Sequence, residues 1–302
     1  MPSLTLFNPS GVVLQPPRVR LATRRLQGLG FDVSVDDSAL ARAKRFAGDD
    51  DTRLAAVDRV AKAAPDVALA VRGGYGLSRL LPRLPWKRIA SSVDRGTRWV
   101  GHSDFTALQC GLFATTGAAS WSGPMGTDQF GCPDDEGGLD EVTADCFAEA
   151  MRGELEAVGF HTDPGQDGLD RRGLIWGGNL AMLCSLLGTP WFPRGEQVKG
   201  GLLYLEDVNE RPFRIERMLL QLLHAGVLGQ QRAVLLGHFT NFKPSPADRG
   251  YRLTDAINHL RAATRVPVLT GLPMGHVPLI VTLPFGRPGR LLVDGRQALL
   301  GW

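Results

Sequence analysis

The segment Arg98–Phe113, "RWVGHSDFTALQCGLF", sets the fold expected for this chain. Apolar residues lead to Gly101, and an apolar-periodic segment typical of a helix starts near Asp104 without a break. A strand that ends at Gly101 and a helix that begins there leave Ser103 on a tight turn, beside the amides of the helix N-terminus. Ser103 is then either an N-cap or a nucleophile. These residues alone favour the cap, because the G-x-S-x-G pattern of nucleophile turns is absent.

Strand-like and helix-like patterns alternate on both sides of this turn. Helical periodicity covers Arg18–Leu29 and 49–64, and the strand-like segments are "LTLFN", "FDVSV", "DVALAV" and "AASWSGPM". Such alternation predicts a mostly parallel sheet with helices on its faces. The segments "NPSG" (8–11), "RGGYG" (72–76) and "GHSD" (101–104) follow three of the strands. Because the carboxyl ends of parallel strands share one edge, we expect these three segments to converge on one crevice.

A change in composition after residue 130 divides the chain. "GCPDDEGGLDEV", a helical stretch near Asp145–Met151 and "HTDPGQDG" separate the first half from a second set of elements. That set includes the strands "GLLYLE" and "RAVLLGHF" and helices over Arg211–Gly226 and Thr254–Ala263. We therefore predict an N-terminal domain at 1–150, a linker at 151–168 and a C-terminal domain at 169–302.

Composition narrows the functional class. The chain has 302 residues, 43% of them hydrophobic and 22% charged, and a net charge of +3 with acidic and basic residues intermixed, so nucleic acid is not an expected partner. Its four cysteines show no metal-ligand spacing, which predicts reduced thiols and neither a zinc site nor a disulfide framework. A signal sequence and an apolar run that could span a bilayer are both lacking, so a cytoplasmic protein is expected, with no membrane partner.

Polar residues at strand ends in the second half are candidates for chemistry. Glu206 ends an alternating strand, with Asp207 pointing to the opposite side, and His276 follows Gly275 in "LPMGH". Each has an ordinary alternative, because a histidine at a strand end is usually a satisfied polar residue. Glu210 stands at the start of the next helix, where the helix dipole alone favours an acid.

Six segments occurring in order resemble the LD-carboxypeptidase family of serine peptidases. They are "ALAVRGGYGLSRLLP", "VGHSDFTALQ", "SGPM", "WGGNLAML", "LYLEDVNERPFRIERMLLQL" and "GLPMGH". The resemblance implies a glutamine-amidotransferase-like or flavodoxin-like N-terminal domain and a smaller C-terminal α/β domain of the swivelling β/β/α type. It makes Ser103 the nucleophile rather than a cap.

The resemblance also implies the roles of individual residues. Ser103, Glu206 and His276 match the catalytic triad of the family, and the backbone N–H groups of Gly74 and Asp104 match its oxyanion hole. Glu210, Asn179 and Arg72 are expected to bind substrate. The chain departs from the family pattern at His102, where tyrosine is common, and at Ser122, where histidine is common, and both departures bear on pocket polarity.

The function expected from this resemblance is a serine carboxypeptidase that releases terminal D-alanine from a muropeptide tetrapeptide, acting as a homodimer. Such a reaction through an acylated Ser103 needs no metal and no organic cofactor. Two alternatives stay open. One is an amidase that detoxifies a peptidyl-nucleotide antibiotic of the microcin C type. The other is a non-catalytic module in which "RGGYG" and the helix at Asp104 bind an anion or other ligand. The last alternative needs neither Glu206 nor His276, so a hydrogen bond between those side chains near Ser103 would argue against it.

Overall fold

The computed structural model describes all 302 residues, which fold around two β-sheets flanked by helices. The first half of the chain contains β1 (Ser3–Phe7), α1 (Pro17–Gly28), β2 (Asp32–Val35), α2 (Asp50–Ala63), β3 (Val67–Ala70), α3 (Trp86–Asp94), β4 (Arg98–Gly101), α4 (Thr106–Thr116), β5 (Ser120–Ser122) and α5 (Glu141–Arg152). The strand–helix alternation predicted for this half is confirmed.

The second half contains β6 (Ala157–His161), β7 (Asp170–Asn179), α6 (Leu180–Leu186), α7 (Gly195–Val198), β8 (Leu202–Val208), α8 (Pro212–His224), β9 (Ala233–Thr240), α9 (Leu253–Ala263), β10 (Val268–Leu269), β11 (Leu283–Phe285), β12 (Arg287–Asp294) and β13 (Gln297–Gly301). The helices predicted over Arg211–Gly226 and Thr254–Ala263 correspond to α8 and α9, within two residues at each end.

The first sheet has the strand order β11-β5-β4-β3-β1-β2. Its five N-terminal strands are parallel, as predicted, and β11 from the far end of the chain pairs antiparallel with β5. The second sheet has the order β10-β9-β8-β7-β12-β13-β6, with β7 to β10 parallel and the rest antiparallel. The two-domain α/β fold is therefore confirmed, and the second sheet has seven strands against six in the first.

The predicted domain limits stay a prediction, and the structure adds two facts about them. The segment 151–168 that we expected to be a linker contains β6, which pairs with β13 as an edge strand of the second sheet. Conversely, β11 crosses into the first sheet because its Leu283–Phe285 backbone meets β5 in register. The Gly- and Pro-rich composition of this segment indicated a domain boundary. It could not predict pairing between strands that are more than 100 residues apart in the chain.

Helix α4 joins the two halves. Its apolar residues are not confined to one face, and nine of its 11 residues are buried, as expected for a helix covered on most sides. Its first residue, Thr106, accepts a hydrogen bond from the backbone N–H of Asn179 at the end of β7 (3.1 Å). A core of 56 buried residues is continuous across both sheets. The N-terminus of α4 is thereby held in place between the two halves.

Candidate active site

Ser103 lies on the turn that connects β4 to α4, as the sequence predicted. Its backbone has φ = 61°, in the left-handed region that non-glycine residues rarely adopt. A 3-10 turn over Ser103–Phe105 leads directly into α4. A strained residue between a strand and a helix is the backbone arrangement that presents a nucleophile in α/β hydrolases.

The three segments predicted to converge do meet at this turn. The backbone N–H of Gly11 donates to the Gly73 carbonyl (3.1 Å), which joins "NPSG" to "RGGYG". The Asp104 carboxylate accepts from the Ser10 hydroxyl (2.8 Å) and from the Leu77 N–H (2.9 Å). Burial raises the pKa of Asp104 even though these hydrogen bonds oppose the shift. One side chain therefore ties both loops to the Ser103 turn.

Arg53 holds the same loops from α2, a role that the sequence did not indicate. Its fully buried guanidinium donates to the carbonyls of Pro9 (3.1 Å) and Gly76 (2.9 Å), and it pairs with Asp50. Only the amphipathic pattern of α2 was visible in the sequence, and that pattern predicts an arginine on the exposed face.

A glycine is required at position 73, next to Ser103. A Cβ at this position would lie 2.9 Å from Ser103 Cβ and 3.0 Å from Ser103 Oγ, closer than ordinary contacts allow. The neighbouring Gly74 has a backbone N–H that donates no hydrogen bond within the chain. The Asp104 N–H belongs to the first helical turn, whose amides have no partners within the helix. Both amides stand beside Ser103, where an oxyanion hole was predicted.

Glu206 and His276 form a hydrogen-bonded pair, with 2.9 Å between Glu206 Oε2 and His276 Nδ1. Glu206 lies in β8 and its side chain is 1% exposed. A register irregularity between Leu205 and Asp207 separates Glu206 from the next carboxylate. Asp207 instead accepts from the Ala181 N–H at the start of α6 (2.8 Å), so the two acids face different partners, as predicted.

The charges around this pair favour a protonated imidazole. Burial lowers the pKa of His276, but the hydrogen bond and charge of Glu206, with the charges of Asp128 and Asp207, outweigh burial and raise it above its usual value. Burial and the nearby Glu206 charge raise the pKa of Asp207 to about 6. The carboxylate of Glu206 thus stabilises the imidazolium that forms when His276 takes up a proton.

His276 is carried by a loop that lies against β9. The His238 N–H donates to the Met274 carbonyl (2.8 Å), and the Thr240 hydroxyl donates to the carbonyl of His276 itself (3.4 Å). Gly237 permits this approach, because a Cβ there would lie 2.3 Å from the Met274 oxygen. The loop begins after β10, so His276 stands seven residues beyond the strand end rather than directly on it.

Ser103 and His276 line one cleft of about 450 Å³. No hydrogen bond joins them, and such bonds often tighten only when substrate is bound. The wall includes residues of both halves of the chain: Arg72, Gly73, Gly74, His102, Asp128, Gln129, Cys132, Glu136, Gly137, Gly138, Val208, Asn209, Val277 and Pro278. The site therefore combines the carboxyl ends of β3, β4 and β8 with two loops.

Sequence reasoning missed the loop after β5 as part of the site. Asp128 and Glu136 bring two carboxylates to the cleft, and Glu136 pairs with Arg18 on α1. Asp128 is exposed and has no ion-pair partner. The Gly-, Pro- and acid-rich composition of this stretch suggested a boundary between domains, and no local pattern showed that it folds back to the same cleft as Ser103.

Two of the residues expected to bind substrate do not line this cleft. Asn179 is buried and caps α6, where its side chain accepts from the Met182 N–H (3.1 Å) and donates to Asp207 (3.2 Å). Glu210 pairs with Arg214 one helical turn later. Arg72, the third, is on the cleft wall.

The two departures from the family pattern have different surroundings. Ser122 is buried behind the cleft, where its hydroxyl bonds Tyr204 (2.6 Å) and accepts from Gln109 (3.0 Å). His102 lies on the cleft wall. Of the two, only His102 affects the polarity of the cleft directly.

The structure contains no group of three or more His, Cys, Asp or Glu side chains arranged to hold a metal ion. None of its helices has both the length and the apolar character needed to cross a bilayer.

A serine on a strained strand–helix turn, facing a glutamate–histidine pair across a cleft between two α/β sheets, is the layout of a hydrolytic enzyme. The chain belongs to the LD-carboxypeptidase family: the N-terminal domain of that family matches residues 4–123 and its C-terminal domain matches residues 172–291. The family resemblance inferred from sequence is confirmed, and the protein is a peptidase.

Individual relatives agree with this placement. The chain is 30% identical to the murein tetrapeptide carboxypeptidase of Pseudomonas aeruginosa, over 87% of this chain and 85% of that protein. It is similar to the crystal structure of muramoyltetrapeptide carboxypeptidase from Oxalobacter formigenes, with a TM-score of 0.88, 36% identity and coverage of 99% and 97%.

The microcin C7 self-immunity protein MccF is also a relative. The Escherichia coli protein is 25% identical over 74% of this chain and 70% of its own length. A solved structure of wild-type MccF has a TM-score of 0.86 at 21% identity, covering 100% and 96% of the two chains, which shows a shared fold.

Proposed function

We propose that the protein is a serine carboxypeptidase that releases terminal D-alanine from a murein tetrapeptide. The observation that carries the proposal is the Glu206–His276 hydrogen bond (2.9 Å) on the wall of the cleft that holds Ser103. The names of the relatives, one of them 36% identical with nearly full coverage, supply the substrate class. A non-catalytic module would have no need of this buried acid–base pair.

The geometry supports acyl transfer through Ser103. The hydroxyl attacks the scissile carbonyl while His276 takes its proton, and Glu206 holds the ring and stabilises its positive charge. The N–H groups of Gly74 and Asp104 stabilise the oxyanion. His276 then gives the proton to the leaving amine, and a water molecule, activated by the same imidazole, hydrolyses the acyl-enzyme.

Arg72 is suited to bind the free C-terminal carboxylate of the peptide, the group that every carboxypeptidase substrate carries. It is the one lysine or arginine on the cleft wall. A hydrogen bond from its Nη1 to the Val12 carbonyl (2.7 Å) anchors the guanidinium, and its Nη2 makes no hydrogen bond within the chain. A planar guanidinium with free N–H groups matches a carboxylate. The C-terminal amide of the same peptide should therefore be cleaved at least about tenfold more slowly, and Arg72→Gln should remove that preference.

Asp128 is better placed than Glu210, which was expected to bind substrate, to bind a cationic group of the peptide. A diamino-acid tetrapeptide carries a free amine one residue before the scissile bond. Asp128 presents an exposed carboxylate to the cleft and has no basic partner, whereas Glu210 is neutralised by Arg214 outside the cleft wall. A carboxylate facing an ammonium across the cleft supplies a charge-assisted hydrogen bond.

The antibiotic-detoxifying alternative is less well supported by the cleft. Proteins commonly bind a base by stacking it on an aromatic side chain, and no Phe, Tyr or Trp lines this cleft. A cytoplasmic location and a homodimer are further parts of the proposal, to be tested by cell fractionation and by sedimentation of the purified protein.

Mass spectrometry of a purified murein tetrapeptide incubated with the protein tests the proposal directly. The expected result is the loss of one alanine by the wild-type protein and an unchanged peptide with Ser103→Ala. A peptidyl-nucleotide conjugate is incubated in parallel. Cleavage of the conjugate alone would overturn the carboxypeptidase assignment in favour of the amidase.

A further inference from the structure

The backbone of the loop around His276 is held by side chains rather than by other backbone groups. None of the N–H or C=O groups of the segment 275–280 is hydrogen-bonded to another backbone group. Side chains make four hydrogen bonds to this segment, and two of them come from one residue, Thr143 of α5. The other two, from Gln129 and Thr240, are both 3.4 Å long. The two shortest bonds that fix this segment therefore belong to Thr143.

The Thr143 hydroxyl satisfies one acceptor and one donor of the segment at the same time. Its Oγ1 donates to the Pro278 carbonyl (3.2 Å) and accepts from the Ile280 N–H (2.8 Å). Thr143 and Ile280 are fully buried, so water cannot replace the hydroxyl at that N–H. The N-terminus of α5 does not need the hydroxyl, because Asp140 caps it by accepting from the Thr143 N–H (2.9 Å). The hydroxyl of Thr143 thus serves the loop and not its own helix.

The segment that Thr143 holds carries the imidazole of the proposed base. His276 lies two residues before Pro278, and both line the same cleft as Ser103. Nδ1 of His276 bonds Glu206, so the direction of the other ring nitrogen, which must reach the Ser103 hydroxyl, depends on where this backbone lies. A displacement of about 1 Å at a reacting group can cost about 100-fold in rate. The position of the segment is therefore part of the catalytic geometry.

Thr143 belongs to the half of the chain that carries Ser103. Helix α5 packs against the first sheet, where its Phe147 shares a buried cluster with Leu4 of β1. The strand that follows the segment, β11, also pairs with β5 of the first sheet. Glu206, in contrast, lies in β8 of the second sheet. The Thr143 hydroxyl thus ties the proposed base to the sheet that carries the nucleophile.

We propose that Thr143 is a positioning residue of the active site, whose hydroxyl fixes the segment 275–280 and thereby directs the His276 imidazole between Glu206 and Ser103. The inference rests on the proposed function, in which His276 is the base. A hydroxyl that served only the stability of the fold would lower the melting temperature when removed and would leave the protonation of His276 unchanged. The two roles therefore differ in what a substitution of Thr143 does to the ring.

Thr143→Val removes the hydroxyl and keeps the shape of the side chain, and Thr143→Ser restores the hydroxyl. Thr116→Val at the far end of α4 is the matched control, because its hydroxyl also donates to one carbonyl (Leu112, 2.7 Å) and accepts from one N–H (Ala118, 3.2 Å). The kcat for alanine release should fall about tenfold or more in Thr143→Val. It should stay within about threefold of wild type in Thr143→Ser and Thr116→Val. A wild-type kcat in Thr143→Val would overturn the proposal.

The acid limb of the pH–activity profile separates positioning from stability. Burial lowers the pKa of His276, and the hydrogen bond and charge of Glu206, with the charges of Asp128 and Asp207, outweigh it. The ring of His102 packs edge to face on the same imidazole, 5.1 Å away between centroids. An imidazole displaced from Glu206 loses the largest contribution that raises its pKa, so the acid limb of the valine variant should move to lower pH. A lower kcat with an acid limb in the wild-type position would assign the hydroxyl to stability alone and overturn the proposal.

Proton NMR of the His276 ring gives a readout that needs no turnover. The Nδ1 proton that is hydrogen-bonded to Glu206 should give the same downfield signal in wild type, Thr143→Ser and Thr116→Val, and this signal should move upfield or broaden in Thr143→Val. An unchanged signal in Thr143→Val, or an equal change in Thr116→Val, would overturn the proposal. If Thr143→Val does not fold, Thr143→Ala is measured in its place with the same expected outcomes.

The same measurements distinguish a failure of this inference from a failure of the proposed function. A wild-type protein that neither releases alanine nor is labelled at Ser103 by a fluorophosphonate would refute the serine mechanism. The NMR comparison would still show whether Thr143 holds the His276 ring against Glu206. Normal labelling and alanine release in wild type, with no effect of Thr143→Val on the ring or on kcat, would refute only the positioning role.

Discussion

Replacing Glu206 by glutamine removes one negative charge next to the imidazole and leaves the shape of the side chain almost unchanged. Glu206 is buried, and its Oε2 lies 2.9 Å from His276 Nδ1. A hydrogen bond to a charged group contributes roughly 1.5–3 kcal/mol, so its loss in the transition state lowers kcat by about 10- to 150-fold. A glutamine that turns its NH₂ toward Nδ1 would also impose the wrong tautomer, which extends the loss toward about 10⁴-fold.

The replacement should also shift the pH dependence of activity in a direction that the His276 pKa determines. The pKa of His276 is raised because the charge of Glu206, helped by Asp128 and Asp207, outweighs burial. His276 acts as a base only when neutral, so wild-type activity should rise with pH through a value above that of an ordinary histidine. Without the Glu206 carboxylate, fewer negative charges oppose the lowering of the His276 pKa by burial. The acid limb of the pH–activity profile of Glu206→Gln should therefore move to lower pH.

The free energy of unfolding should depend on pH through the same shift in the His276 pKa. A group whose pKa is raised on folding stabilises the native state fully below its unfolded pKa, and this contribution disappears as pH rises through the folded value. The destabilisation of Glu206→Gln relative to wild type should therefore be greater at pH 5.5 than at pH 9, as measured by urea unfolding.

The assay is kcat/KM for alanine release from the tetrapeptide between pH 5 and 9. Glu196→Gln, an exposed glutamate on α7, is the matched control and should reproduce the wild-type profile. An acid limb that stays in place or moves to higher pH in Glu206→Gln would refute the reasoning, because the Glu206 charge would then not be what raises the His276 pKa.

Three further variants test the site. Ser103→Ala should lower turnover by about 10⁴-fold or more, and its melting temperature should stay within roughly 2 °C of wild type in calorimetry; measurable activity near wild type would exclude Ser103 as nucleophile. Gly73→Ala places a Cβ 2.9 Å from that of Ser103 and should slow fluorophosphonate labelling by about tenfold or more, whereas Gly28→Ala, with no atom within 4 Å, should label normally. Asp128→Asn, assayed above the acid limb, should lower kcat/KM by about tenfold on the amine-bearing peptide and much less on its acetylated form; equal losses on both peptides would defeat the contact.

Helix and strand identity was largely predictable because it depends on local periodicity. The turn at Ser103 was readable from one segment, since apolar residues lead to Gly101 and a helical period follows without a gap. The meeting of "NPSG", "RGGYG" and "GHSD" followed from a general property of parallel sheets, and the bonds from Gly11 to Gly73 and from Ser10 to Asp104 confirm it. The order of motifs was enough to identify the family.

Which charged side chains face the cleft was settled only by tertiary structure. Asp128 and Glu210 each lie on a short segment after a strand, and the sequence offers no means of ranking them. Folding turns one toward Ser103 and pairs the other with Arg214. The contacts of the buried Arg53 and of Thr143 were hidden for the same reason, because their surroundings come from segments distant in the chain.

The sequence by itself thus determined the local elements, the tight turn at Ser103 and the family, because hydrophobic periodicity and turn chemistry act over a few residues. Tertiary structure decided that β11 completes the first sheet, that β6 pairs with β13, and that the loop after β5 forms a wall of the cleft. These features depend on backbone pairing and packing between residues 100 or more positions apart. Such contacts depend on how unpaired strand edges and apolar faces of the whole chain pack against each other, so they cannot be predicted from any short stretch of sequence.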